Sequence, residues 1–347
     1  MIRVAKLYAD LRTQASHQWT LSILGRSLVV YARSDELATA ACRSMSRWRT
    51  PALEVGSKPD EVCVVELSSR SAFQVNTAGV TASRSFQLPN VGTFLVYNLD
   101  DGSAVVQPGR GVFLCSTAGE MVWLIDDALL AQERDRWPNL TDLAIVITAE
   151  VLRRVGCFLA HAGGVGRRGR CLLLTGESGS GKTTFTVRKA MEGWDFYGDD
   201  MVIVGQDPDG RWRIHPFWRP VHLTPSTREL LGSPRMQSMG LTTSNKFQCD
   251  ITELVSVIRP VPGLVEAVIN LRPGWHPEML QPLSKADALS TLGATFLSGF
   301  NPRAAEHDLE NLLEFLTTTP VYQASWSSGS QAVDHLLADG RAHADDQ

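Results

Sequence analysis

Eight residues, Gly176-Glu177-Ser178-Gly179-Ser180-Gly181-Lys182-Thr183, limit this chain more than any other stretch. They satisfy the pattern G-x-x-x-x-G-K-[ST] of a phosphate-binding loop. Each fixed position has a physical reason. Glycines let backbone N–H groups turn inward and approach phosphate oxygens with no Cβ in the way. Lys182 supplies a point charge to the β and γ phosphates, and the Thr183 hydroxyl is a ligand for Mg²⁺. The motif also dictates its surroundings. A strand must lead in, and a helix must follow with its positive end on the phosphates. The apolar run Cys171–Thr175 and the stretch Gly181–Met191 fit those roles, with Gly193 as the helix stop. Thr184 completes the candidate nucleotide-binding set.

Downstream, Asp199 and Asp200 are adjacent. A short returning strand over Trp194–Tyr197 would bring both carboxylates back beside the loop. One carboxylate can then hold Mg²⁺, and the other can accept the proton of an attacking hydroxyl. Phosphoryl transfer needs little more than positioning and charge neutralisation. The plainer reading is an Asp-Asp turn between strands, and the loop favours the functional one.

Other phosphate-loop classes fit poorly. Guanine recognition by N-K-x-D is only begun at Asn245-Lys246, because Asp250 comes two residues late. Leu297–Asn301 holds a serine-glycine fragment without the Asp-Glu strand of a transport ATPase. Lys+Arg total 33 and Asp+Glu 37, a net charge of −4, which argues against a nucleic-acid binder. The six cysteines and eight histidines are scattered, with neither zinc spacing nor a disulfide framework. No apolar run is long enough for a membrane span, and the first residues lack a secretory apolar core. A cytoplasmic, reduced location is expected.

The length of 347 residues suits two domains. Strand-like runs in the first part are Ser27–Ala32, Val62–Leu67, Phe94–Leu99, Gly111–Cys115 and Met121–Ile125. A helix over Glu36–Trp48 capped by Asp35, and a hairpin turn near Asn98–Ser103, are expected between them. A boundary near Asp135–Asn139 separates 1–135 from 136–347. A helix then spans Leu140–Phe158. Two strands joined at Arg167–Arg170 come next. Further strands cover Met201–Val204, Arg211–His215, Val221–Leu223 and Leu264–Leu271. Helices over Lys285–Phe296 and Ala304–Leu316 follow.

Taken together, His161 opening a strand pair, the G-x-S-G-x-G-K-T loop, a helix ending in glycine and the Asp-Asp pair resemble the catalytic domain of HPr kinase/phosphorylase. The resemblance is nearest to HPr-kinase-related proteins of peptide-modifying gene sets, including lasso-peptide precursor kinases. It covers roughly His161–Val204 and weakens through Pro216–Pro220. It implies an α/β, phosphoenolpyruvate-carboxykinase-like P-loop fold, a twisted mixed sheet with flanking helices, plus a small α+β N-terminal domain for substrate recognition. It implies ATP and Mg²⁺, with Asp199 as base, Asp200 beside the metal with Thr183, and His161 orienting the aspartates. His161 as a plain strand-edge residue is the other reading. The chain departs from those kinases at Thr184, where they carry glutamate.

Arg219 and Arg272, each next to a proline at a strand end, are candidates for stabilising transferred charge, or for structural ion pairs. Arg167, Arg168 and Arg170 read as a solvated hairpin tip, with phosphate contact the alternative. Lys246 is a weaker substrate-side candidate. Trp212, Trp218 and Trp275 suit either a ligand-stacking or a core role. The expected acceptor is a serine-type hydroxyl on a ribosomally made peptide or small protein. A small-molecule hydroxyl and a non-enzymatic nucleotide-gated binder are the alternatives. A homo-oligomer is compatible, and no nucleic-acid or membrane partner is expected.

Overall fold

The computed structural model describes residues 3–24, 26–35, 37–39, 41, 60–67, 82–88, 92–108, 111–126, 141–217, 219–232, 245–255, 261–272, 280–292, 302–324, 333, 334, 336 and 337. Two compact units emerge. One holds Met1–Arg47, Ala52–Val155 and Ser298–His307, and the other Trp48–Pro51, Gly156–Leu297 and Asp308–Gln347. The boundary expected near Asp135–Asn139 lies outside the described residues.

The first unit contains β1 (His17–Ile23), β2 (Arg26–Ala32), β3 (Asp60–Leu67), β4 (Arg84–Leu88), β5 (Gly92–Leu99), β6 (Gly102–Gln107), β7 (Gly111–Ser116) and β8 (Met121–Asp126). They form one sheet in the order β1-β2-β3-β8-β7-β6-β5-β4. Among the described residues, only β2/β3 and β3/β8 pair in parallel in this sheet. The expected hairpin turn is present, with Leu99 opposite Gly102. Its Asp101 also caps a helix from afar. The carboxylate accepts from the N–H groups of Val4 at 3.0 Å and Ala5 at 3.1 Å. Two donors that a helix start leaves open are thereby satisfied. That helix, Val4–Gln14, packs Val4 against Ala104, Val112, Leu114 and Val122. Neither the helix nor β1 was legible in the sequence.

Two expected helices differ in detail. In the Glu36–Trp48 stretch, helix is described at 37–39 and 41, after a helical Asp35, and the rest lies outside the described residues. Its cap is Ser34, whose hydroxyl accepts from Leu37 N–H at 3.2 Å, rather than Asp35. The helix expected over Leu140–Phe158 is described as Thr141–Arg153. Gly156, at φ +71°, turns the chain, and Cys157 already pairs in a strand.

The second unit contains β9 (Cys157–Ala160), β10 (Gly163–Arg167), β11 (Arg170–Gly176), β12 (Asp195–Gly198), β13 (Val202–Gln206), β14 (Trp212–His215), β15 (Val221–Leu223), β16 (Phe247–Cys249), β17 (Gly263–Leu271), β18 (Gln281–Pro282) and β19 (Val321–Ala324). Its main sheet runs β12-β10-β11-β17-β14-β13-β9, with β19 on β17 and β18 on β19. The β11/β17 and β17/β19 pairs are parallel, and the others are antiparallel. This is a mixed α/β architecture, as expected. β15 and β16 form a separate ribbon.

Side chains alternate across β11 and β17. Leu173 and Val268 join one core with Ile214, Trp212 and Phe315. Leu172, Leu174 and Ile269 join the other with Phe185 and Trp194. Trp212 packs edge-on against Phe315, with centroids 5.3 Å apart, so it is a core residue. Trp218 and Trp275 lie outside the described residues. Phe315 comes from the helix Pro302–Thr318, and the helix Lys285–Leu292 lends Ala288 to the same core. Burying a side chain of this size stabilises by about 1.5–3 kcal/mol. Phe185 therefore does much to hold the post-loop helix on the sheet.

Candidate functional site

β11 ends at Gly176, and the helix Lys182–Met191 starts six residues later. The turn between them needs its glycines. Gly176, Gly179 and Gly181 have φ of +136°, +82° and +97°. At Gly176 a Cβ would stand 2.4 Å from the Leu271 carbonyl and 2.7 Å from Ser180 Oγ. Lys182 folds back onto its own loop, donating to the carbonyls of Gly176 at 2.6 Å and Glu177 at 3.0 Å. Burial lowers its pKa, against the pull of Asp200 and Asp199. Ser180 Oγ is buried without a hydrogen-bond partner among the described residues. Glu177, Ser178 and Gly179 are on the open side of the loop, and nothing approaches a Cβ at Gly179.

The helix stops as expected. Gly193, at φ +89°, lets its own N–H reach the Ala190 carbonyl, and Trp194 N–H reach that of Lys189. The chain then returns as β12 beside β10, at whose end stand Asp199 and Asp200. Asp200 turns the chain with φ +68°, a strained value for a residue with a Cβ. Register explains its partner. Ala160 pairs with Val202 across β9 and β13, so His161 and Asp200 leave the pair at the same end. His161 Nε2 lies 2.8 Å from Asp200 Oδ1, and Arg219 Nη1 3.8 Å from Oδ2. Burial opposes the Asp200 charge, yet His161, Arg219 and His222 together hold its carboxyl below the usual range.

Asp199 has the opposite environment. It is 5% exposed, and burial, then the neighbouring Asp200 charge, push its carboxyl up to about 7. The Thr183 hydroxyl and Lys182 work the other way. Asp199 Oδ1 is buried with no hydrogen-bond partner among the described residues. Two adjacent carboxylates are thus driven apart in acidity, which is how an acid–base pair is recognised.

The remaining candidates divide. Gly176 pairs with Leu271, so Arg272 follows the strand end next to the loop, exposed, with its N–H on the Ala324 carbonyl. The Thr184 hydroxyl turns to Thr227 at 2.9 Å, and Thr227 to Thr224 at 2.9 Å. That buried chain ties the post-loop helix to the helix Pro225–Leu231. Arg170 Nε binds Glu266 at 2.6 Å, and Arg167 and Arg168 are exposed at the hairpin tip. The tip lies at the opposite end of β11 from the phosphate loop, about 20 Å away at 3.3 Å per residue. These arginines do not reach the phosphate loop. Asp250 caps the short helix Ile251–Leu254 and takes no part in the site. His222, on β15, reaches Asp200 electrostatically; a single histidine in a three-residue strand leaves no sequence signal.

Among the described residues, no group of three or more His, Cys, Asp and Glu is arranged to hold a metal alone. Mg²⁺ does not require one, since it takes one or two carboxylates and completes its shell with water and phosphate oxygens. The Thr183 hydroxyl and the Asp199–Asp200 carboxylates fit that need, with a buried Asp199 oxygen left unpartnered. Among the described residues, no helix is long and apolar enough to cross a membrane. Burial pushes the thiols of Cys63, Cys115, Cys157 and Cys249 up to about 12, so these are core residues rather than nucleophiles.

A family model described as "ScmC: SynChlorMet cassette protein ScmC" matches residues 130–231, the span that holds the phosphate loop, the aspartate pair and Arg219. No curated protein matches the chain. Among solved structures, the Hpr(Ser) kinase/phosphatase from Coxiella burnetii is similar over 53% of this chain and 95% of its own, at 13% identity and a TM-score of 0.30.

Proposed function

We propose that the protein is an ATP- and Mg²⁺-dependent kinase that transfers the γ-phosphoryl group to a serine-type hydroxyl. The scaffold would be a phosphoenolpyruvate-carboxykinase-like P-loop fold, with residues 136–347 as the kinase unit and 1–135 as the recognition unit. One observation carries the reading. A buried carboxylate, raised to about 7 and with one oxygen unpartnered, stands against the hydroxyl of a phosphate loop. A group poised near neutrality is what general-base catalysis needs.

The residues divide the work as follows. The loop N–H groups from Gly176 to Thr184 cradle the phosphates. Lys182 exchanges its two loop carbonyls for the β and γ oxygens. Thr183 and Asp200 would hold Mg²⁺, which when bound would neutralise phosphate charge. Asp199 accepts the proton of the attacking hydroxyl. His161 fixes the Asp200 carboxylate, and Arg219 and Arg272 offset charge on the transferred group. The acceptor is a peptide or small protein, as the resemblance to peptide-modifying kinases suggests.

The test is transfer of labelled γ-phosphate to a panel of seryl peptides and free serine, with a fluorescent ATP analogue reporting nucleotide affinity. Asp199→Asn is expected to lose about 10²–10⁴ in turnover while nucleotide affinity stays within about threefold. Lys182→Ala is expected to lose nucleotide affinity itself. Equal transfer by Asp199→Asn removes that residue from the base role. Tight nucleotide binding with no transfer to any acceptor favours the non-enzymatic reading.

A further inference from the structure

On the far side of the phosphate loop from the aspartates, the sheet ends in a polar row. Pairing aligns Thr175 of β11 with Asn270 of β17, and Asn270 with Gln323 of β19. Three neutral side chains thus stand side by side on adjacent parallel strands. Leu174, Leu271 and Ala324, their chain neighbours, enter one core. Alternation therefore sends the row to the other face, as the layer above Leu173, Val268 and Val321. The loop begins at the next residue, Gly176. Thr175, Asn270 and Gln323 are 0%, 3% and 7% exposed. Thr175 Oγ1 has no hydrogen-bond partner among the described residues. Among them, neither amide bonds another side chain. Packing alone would favour apolar residues here, as in the layer beneath. Polar groups withdrawn from water are kept where they have something to bind.

Strand order says which part of a nucleotide passes the row. At this end of the sheet β12, β10, β11, β17 and β19 stand in sequence. Four strand spacings span about 19 Å, the reach of an extended nucleoside triphosphate. Asp199 and Asp200 follow β12 at one side, the loop follows β11 in the middle, and the row ends on β19 at the other. In the kinase reading the reacting phosphate lies toward the aspartates. The nucleoside then extends across the loop to the opposite side, over β17 and β19. An amide offers a donor and an acceptor together, which matches N7 and the N6 amino group of adenine. Guanine presents two acceptors on that edge, O6 and N7, and suits Arg or Lys instead. The row carries no charge. Asp250, the residue nearest to completing a guanine motif, is occupied as a helix cap.

We propose that Asn270 and Gln323 form the base-reading subsite of the nucleotide, binding the adenine edge and selecting ATP over GTP. The proposal rests on the kinase reading for the direction in which the nucleotide lies. Its test measures binding and does not depend on turnover.

Calorimetry on the full-length protein with Mg²⁺ compares three probes: a non-hydrolysable ATP analogue, its GTP counterpart, and inorganic tripolyphosphate, which has no base. The adenine analogue is expected to bind about tenfold more tightly than the guanine one, the scale of one or two net hydrogen bonds. The double variant Asn270→Leu/Gln323→Leu keeps side-chain bulk and removes the amides. It is expected to abolish the preference, with tripolyphosphate affinity kept within about twofold. That unchanged affinity also shows an intact loop. Asn270→Asp, nearly the same shape but unable to donate when ionised, is measured beside it in case the double variant fails to fold, and is expected to lose at least about threefold of the preference. Three results would overturn the subsite: no base preference in the native protein, a preference that survives these variants, or an equal loss of tripolyphosphate affinity. The last would assign the row to the phosphates or to the fold. Absence of phosphoryl transfer with base selectivity intact would instead sink the kinase reading and leave the subsite standing.

Discussion

Replacing Asp199 with asparagine should stabilise the nucleotide-free protein, and more so as pH rises. The Asp199 carboxyl is raised from 3.8 to about 7 by burial and by Asp200. A raised carboxyl pKa destabilises the folded state, because folding must then remove or bury a charge that the unfolded chain carries freely. Below the unfolded pKa of 3.8, both states are protonated and the cost vanishes. Between there and about 7 the cost grows, and above about 7 it is complete. At about 1.36 kcal/mol per unit, the full shift amounts to about 4 kcal/mol, and at pH 5 to less than half of that. Asparagine keeps the shape and can still accept the Thr183 hydroxyl proton, but it never carries the charge. At a few degrees per kcal/mol, the gain in Tm should be on the order of 10 °C at pH 8 and less than half of that at pH 5. Scanning fluorimetry in EDTA, without nucleotide, measures both. An equal gain at the two pH values, or no gain at pH 8, would refute the claim that Asp199 is held near neutrality by its surroundings. A gain of the expected size would show that the native carboxylate costs stability at this position.

Two further outcomes follow from the same geometry. Gly176→Ala places a Cβ 2.4 Å from the Leu271 carbonyl at a φ of +136°, so the loop must move. A loss of about 2 kcal/mol or more in urea unfolding is expected, with weaker nucleotide binding; wild-type stability would contradict the contact. Arg170→Ala leaves Glu266, with its side chain 8% exposed, without the guanidinium that now binds it. About 2 kcal/mol of stability should go, discounted for the partly exposed arginine, with nucleotide affinity unchanged because the pair sits at the far end of β11. A fall in nucleotide affinity would tie the hairpin tip to the site after all.

Local chemistry was readable where one short stretch carries its own reason. The phosphate loop, its strand and its helix all follow from backbone needs written into eight residues. The Asn98–Ser103 hairpin and the β10–β11 turn at Arg168-Gly169 are likewise turn chemistry. What escaped was pairing at a distance. β1 and the helix Val4–Gln14 depend on partners far along the chain, including Asp101, whose capping role no local pattern reveals. The expected helix over Leu140–Phe158 ran past Arg153 because its last residues are as apolar as a helix face. Only pairing with β13 makes Cys157 and Phe158 a strand.

The turn from Gly176 into the helix Lys182–Met191, then, was determined by sequence alone, because its glycines act there through backbone geometry within a few positions. The aspartate pair was visible only as two letters. Tertiary structure decided that Asp199 is buried against Thr183 while Asp200 faces His161, Arg219 and His222. Identical side chains acquired opposite acidities because the turn at Asp200 leaves Asp199 buried beside a like charge while it sets Asp200 against His161, Arg219 and His222. Thr184 shows the same division. Its place beside the loop was read from sequence, but only the fold turns its hydroxyl to Thr227 and so fixes the β15–β16 ribbon beside the site.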